Sequence, residues 1–479
     1  MKKYKYLALG LAMALGVSSC SLDTEVFDQK DGETAYSTLK DIKNSLNGLY
    51  YRTGHYPFLG NYAVTLGDMT SGMSAGSASS GHMYNFSSFT FSDTAGELED
   101  MWNYGYKIIT GATTTINHAE SMLESGSINP VDKEEAYNYI AQCHALKALA
   151  NYYLVNYFAL PYSDANKSKL GVIVIDREVV EIFTDVKRGT LEETYAQITK
   201  DIKAAEDAFA TAGEESETSP YYMTLMGVKA LKARVYMDLG DYTTAEAAAK
   251  EAIALKENGD GDASDNVPSD EDYIAMWRDL AVSGEDLFTI KKSTDDNLSA
   301  NAINTLYSNY KSTIQNVSVS KLGDQDIRAR LLRSGDDGGT SMKKFDGIPG
   351  SQATSNIPVF RKSEMALVVA ECEARKGNLD EARNYLMFTA KRDKAIETVE
   401  DLPSTQGELL SFIADERVRE FYGEGHRFFD ARRMGLSVSG DQFQNWDIRN
   451  FVFPIPAGEI NTGTGCEQND NWSDFLPVM

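Results

Sequence analysis

The sequence predicts a mainly all-α chain in which paired helices carry long irregular excursions. Three observations lead there. Nine segments repeat apolar residues at helical spacing. Two helix pairs share one pattern of small residues at the spacing of a helical repeat. Stretches rich in Gly, Ser and Asn, such as 70–85, separate the helices and read as loops.

The chain starts with Lys2, Lys3 and Lys5, then an apolar run from Leu7 to Val17, then Ser18-Ser19-Cys20-Ser21. A positive start, a short apolar run and small residues make a secretory signal. The run cannot cross a bilayer, which takes about 20 apolar residues. The placement of Cys20 resembles a bacterial lipoprotein signal, in which residues 1–19 are removed and the thiol takes a diacylglycerol. The alternative is an ordinary signal with an incidental cysteine, but cysteine is scarce in this chain. Asp23 and Glu25 resemble the surface-export signal of Bacteroidetes lipoproteins. The expected location is the cell outer membrane, lipid-anchored and facing the exterior.

Helical patterns then run over 35–51, 97–124, 132–158, 191–209, 221–239, 243–255, 361–376, 379–391 and 405–421. Gly240-Asp241 ends one helix and Thr243-Thr244 opens the next; Gly377-Asn378 does the same later. Ala233, Tyr236, Gly240, Tyr242, Ala245, Ala249 and Ala252 stand at tetratricopeptide spacings, and Ala370, Gly377, Leu379, Ala382 and Leu386 repeat part of the pattern. Alanine lets the second helix approach closely and glycine turns the chain. Such repeats name no ligand.

Composition narrows the function. The formal net charge of −25 argues against nucleic acid and anionic lipid headgroups as partners. Tyrosine (26) outnumbers phenylalanine (20), which suits wet binding surfaces as well as core edges. Cys143, Cys372 and Cys466 stand at long spacings and make no disulfide framework; Cys143 and Cys372 read as small buried residues. The five histidines show no paired ligand spacing, so neither metal nor cofactor is expected. Asp260, Asp262, Ser264 and Glu271 mimic part of a calcium loop. Asp265 stands where that loop needs glycine, so the stretch reads as a solvated acidic loop.

Five blocks in order resemble the SusD/RagB family of outer-membrane nutrient-binding lipoproteins. They are Leu98-Glu99-Asp100-Met101-Trp102-Asn103-Tyr104 with Ile108 and Ile109; Ala145-Leu146-Lys147-Ala148 through Tyr152-Tyr153-Leu154-Val155 to Pro161-Tyr162; Arg361-Lys362-Ser363-Glu364 with Ala370-Glu371-Cys372-Glu373-Ala374; Glu416-Arg417-Val418-Arg419-Glu420-Phe421 with Glu424-Gly425-His426-Arg427 and Asp430-Ala431-Arg432-Arg433; and Phe453-Pro454-Ile455-Pro456 with Glu459-Ile460. Lys147 stands where the family has arginine, and Ala159 where it has glycine. The resemblance implies a SusD-like fold of four tetratricopeptide-like helix pairs plus irregular excursions. It implies an N-terminal region over 20–235 and a C-terminal region over 236–479 in one integrated unit. It also implies a surface protein that captures glycan for a SusC-like TonB-dependent transporter, without catalysis.

Carboxylates and arginines crowd 416–433 and could line an active site. Carboxylate pairs hydrolyse glycosides. Arginines, however, push carboxylate pKa values down, so the scaffold reading is preferred there, and for Arg361 and Glu364. Trp102 is read as core. Ligand recognition is expected on the excursions, which the resemblance places at 55–91 and 272–310. The candidates are Tyr62, Asp68, Tyr84, Phe86, Trp277, Tyr307 and Tyr310: rings to stack on pyranose faces and a carboxylate to accept from hydroxyls. The rival functions are peptide capture, glycoside hydrolysis and a scaffold with protein partners alone. An aromatic, neutral pocket favours glycan; a charged one favours peptide.

Overall fold

A computed structural model describes residues 36–177, 186–257, 267–335 and 338–479. Cys20 and most of the acidic loop around Asp260 lie outside the described residues. The helices of nine residues or more are α1 (Leu39–Thr53), α2 (Tyr62–Thr70), α3 (Gly96–Glu124), α4 (Lys133–Phe158), α5 (Leu191–Ala212), α6 (Leu225–Asp238), α7 (Tyr242–Lys256), α8 (Lys362–Lys376), α9 (Leu379–Ala390), α10 (Gln406–Phe421) and α11 (His426–Met434). All nine helices expected from the sequence are present, with ends shifted by a few residues. The two others, α2 and α11, were not expected. The chain is mainly helical, and the strands are short.

Helices pair as α1 with α3, α4 with α5, α6 with α7 and α8 with α9; α7 also packs on α8. Alanine makes the close approach: Ala233, Ala245, Ala249 and Ala252 are fully buried. Gly240 and Gly377 take φ of +74° and +87° after their helices, a region that favours glycine. Asp241 caps α7, its carboxylate accepting from Thr244 N at 3.0 Å, and Thr190 caps α5 with a capping box.

The excursions pack on this frame and are tied down by small two-stranded sheets. The strands are β1 (Ser74–Ala75), β2 (Leu170–Ile173), β3 (Arg188–Thr190), β4 (Asp286–Ile290), β5 (Thr313–Ile314), β6 (Leu332–Ser334), β7 (Thr340–Met342), β8 (Ile357–Arg361), β9 (Ser437–Val438) and β10 (Trp446–Asp447). They pair antiparallel as β1–β5, β2–β3, β4–β8, β6–β7 and β9–β10. One large apolar core runs from Ile42 to Cys466, and a smaller one joins α8, α9 and α10. Trp102 is core, its indole N–H donating to Glu459 Oε2 at 3.1 Å. Cys143, Cys372 and Cys466 are free and buried.

Helix α2 is buried along most of its length. A Cβ at Gly67 would meet the Gly425 carbonyl oxygen at 2.7 Å, so glycine is required where α2 presses on the segment before α11.

Candidate functional site

The two excursions expected to carry recognition meet at one surface. Ser74 pairs with Ile314 and Ala75 with Thr313 in the β1–β5 ladder, and Gln315 N donates to Met73 O at 2.8 Å. The Tyr307 hydroxyl donates to Ser74 Oγ at 2.8 Å, and Ser80 Oγ donates to Tyr310 O at 2.8 Å. Asn61 Nδ2 donates to Asn301 O at 2.8 Å. These bonds join stretches more than 200 residues apart in sequence.

The result is a shallow cup of about 330 Å³ lined by Ser299, Asn304, Thr305, Asn309, Tyr310 and Gln352, with Ala300 and Ala353. No charged side chain is in that lining. His82 is exposed and stacks on the half-buried Tyr310 with ring centroids 3.6 Å apart and planes 17° apart. Met83, Ser299 and Lys311, all non-glycine, take φ of +56°, +48° and +58° around this cup. Left-handed backbone costs about 1–3 kcal/mol per residue and gathers at sites that need a fixed shape.

The sequence candidates divide. Tyr310 lines the cup, and Tyr84 is exposed on the excursion that carries His82. Tyr62 is half-buried and packs edge-on to Tyr56 at 5.5 Å. Asp68, Phe86, Trp277 and Tyr307 are sealed in the interior. They present no open face to a ligand, contrary to the expectation of surface-facing groups. Phe86 stacks on Phe91 at 5.1 Å, and Trp277 packs on Phe345 at 5.2 Å. Tyr307 spends its hydroxyl on Ser74. His82 was not foreseen; the only signal for it was a ring-bearing residue inside a Gly/Ser-rich stretch.

Asp68 has a different role. Its Oδ1 accepts from Gly425 N at 3.2 Å, and its Oδ2 has no partner among the described residues. Burial pushes its pKa up to about 8, against the pull of the Gly425 N–H and Lys344. A carboxyl with a folded pKa above its unfolded one is favoured protonated, so the fold loses stability as pH rises from about 4 towards about 8. Asp68→Asn should remove that slope. In urea titrations the variant should match the wild type at pH 4 and exceed it by roughly 1–3 kcal/mol at pH 8, the cost of a buried group left unpaired. A wild type equally stable at both pH values relative to the variant would contradict this.

The acidic cluster of 416–433 lies inside the scaffold. Arg328 is fully buried and binds Asp326 and Glu416 at 2.7 Å and Glu420 at 3.3 Å. Arg361 binds Glu424 at 2.8 Å, Glu420 at 2.9 Å and Glu285 at 3.1 Å, and Arg392 closes on Glu285 at 2.5 Å. Arg417 and Arg433 share Asp430, and Arg433 also binds Glu371 at 2.8 Å. Burial alone would raise the Glu420 pKa, but Arg392, Arg361 and Arg328 outweigh it and hold it at about 2. Glu285, Glu371 and Asp430 are lowered against burial in the same way. A general acid needs the opposite shift. Among the described residues no group of three or more His, Cys, Asp or Glu side chains could hold a metal ion, and no helix is long and apolar enough to cross a membrane.

A family model described as the SusD family matches residues 277–472, and one described as starch-binding associating with outer membrane matches 27–237. The starch-binding protein SusD of Bacteroides thetaiotaomicron is 31% identical over 142 residues, which are 27% of this chain and 24% of that one. The chain thus matches about a quarter of that relative's length. A SusD superfamily protein from Bacteroides vulgatus shares the fold with a TM-score of 0.79 at 25% identity, over 91% of this chain and 99% of that one. Surface glycan-binding protein A from Bacteroides fluxus gives 0.69 at 18% identity, over 91% and 100%. With both halves matched by models of one kind and the fold shared along most of its length, the chain belongs to the SusD family.

Proposed function

We propose that this protein captures oligosaccharide at the cell surface and passes it to a SusC-like TonB-dependent transporter. The observation that carries the reading is the cup: an exposed His82 ring stacked on the half-buried Tyr310, beside amides and hydroxyls, with no charge in the lining. Rings stack on the apolar faces of pyranoses, and neutral donors and acceptors meet their hydroxyls. Peptide capture would call for charged walls. The named ligands of the relatives, starch and glycan, point the same way.

Capture is the whole of the role, without turnover: where carboxylates crowd, Glu420 and its neighbour Glu285 are held ionised by arginines, the opposite of what a general acid needs. The test is a glycan-array screen of the chain lacking residues 1–20, followed by overnight incubation with each bound glycan and chromatography. Binding with unchanged chain length is expected; shorter products from pure protein would contradict it.

The lipid at Cys20 would hold the protein at the outer membrane near its transporter and raise the effective concentration there. A stiff helical frame can then swing as one body, a lid over the transporter mouth. Cys20→Ala should release the protein from the membrane fraction and abolish acyl labelling. A variant that stays membrane-bound, with no acyl chain found on the wild type by mass spectrometry, would sink the anchor.

A further inference from the structure

A single exposed ring needs no explanation, but two across one pocket do. Tyr51 is 56% exposed and Tyr222 is 39% exposed, and they come from different units, α1 and the turn before α6. Both line one pocket of about 390 Å³, over Tyr50 and Phe288, with Asn47 and Asp296 at its polar side. That volume falls in the range of small-molecule sites.

The platform is fixed. The Tyr50 ring meets the Tyr222 ring edge-on at 5.2 Å and 83°. Its hydroxyl donates to Gln142 Oε1 at 2.6 Å and accepts from Met223 N at 2.8 Å. The buried Lys292 ammonium is offset by Asp296 at 3.3 Å. An apolar floor, two open rings and an amide suit a sugar ring, with the Lys292–Asp296 pair and Lys291, whose ammonium lies 5.0 Å from the Tyr221 ring centroid, as polar partners for its hydroxyls.

One stretch of chain serves both places. Lys291, Lys292, Ser293 and Asp296 line this pocket, and six residues from Ser299 to Tyr310 line the cup. Asp296 and Ser299 are three residues apart, so their Cα atoms lie within about 11 Å. We propose that the Tyr51–Tyr222 pocket is a second saccharide subsite, taking another part of the same neutral glycan that the cup holds. This rests on the glycan-capture reading above. Two linked subsites make affinity rise with chain length, because the second contact becomes intramolecular.

The experiment is calorimetry on the chain lacking residues 1–20. The probes are maltoheptaose, cellohexaose, xylohexaose and mannohexaose, each beside its disaccharide. Tyr51→Ala/Tyr222→Ala should weaken the long probe that binds by about tenfold and leave its disaccharide unchanged, with an unchanged melt. His82→Ala/Tyr310→Ala should weaken both. If the double pocket variant melts early, Tyr51→Ala alone should still lose the length dependence. Full affinity for the long probe in the pocket variant, with loss in the cup variant, would overturn the second subsite and leave glycan capture standing. No heat from any probe with the wild type would overturn glycan capture itself, and the subsite with it.

Discussion

Arg361→Ala should cost about 3–5 kcal/mol of stability, the penalty for stripping one partner from a buried ion pair. Arg361 faces three carboxylates, Glu285, Glu420 and Glu424, at 2.8–3.1 Å, and is almost wholly buried. It stands at the end of β8, where the strand paired with β4 hands over to α8. Removing it leaves three buried carboxylates one cation short, with Arg392, Arg328 and Lys344 left to offset them. Against a total of about 5–15 kcal/mol, that is enough to populate unfolded chains at growth temperature. The acid limb follows from the same network. Glu420 has a folded pKa of about 2, below its unfolded value, so its contribution is full above about pH 4.3 and is lost as pH falls towards 2. Urea titrations at pH 7 and pH 3 check both points. A loss below about 1 kcal/mol at pH 7, the size of a surface pair, would mean that water reaches the cluster.

The helical frame was legible because periodicity, alanine spacing and glycine stops agree with one another. Helix α2 was not, because it is buried on nearly all sides and so shows no polar face, and Gly67 and Asp68 break its apolar run. Helix α11 hid inside a run of charge whose partners come from elsewhere in the chain. Arg328 and Arg392 lie far in sequence from the glutamates they neutralise, so neither could be singled out beforehand. The recognition surface was half legible. Composition marks 70–85 as a loop, but it does not tell which rings of an excursion point outward. The excursions carry a core of their own, and Phe86, Trp277 and Tyr307 went into it. The β1–β5 ladder, which brings His82 onto Tyr310, rests on two residues per strand and leaves no sequence signature.

The central claim is that the His82–Tyr310 cup holds glycan. The exposed His82 ring stacked on the half-buried Tyr310, in a neutral lining, offers a sugar both a flat apolar face and uncharged polar edges. Neither ring fills the deep core, so their loss should spare the fold. The most direct measurement is calorimetry of the His82→Ala/Tyr310→Ala variant against the wild type, with the oligosaccharide that the glycan screen identifies. Affinity should fall by about 30-fold or more, two stacking platforms at about 1 kcal/mol or more each, with the melting transition unchanged. Wild-type affinity retained in a folded double variant would place recognition elsewhere and contradict it.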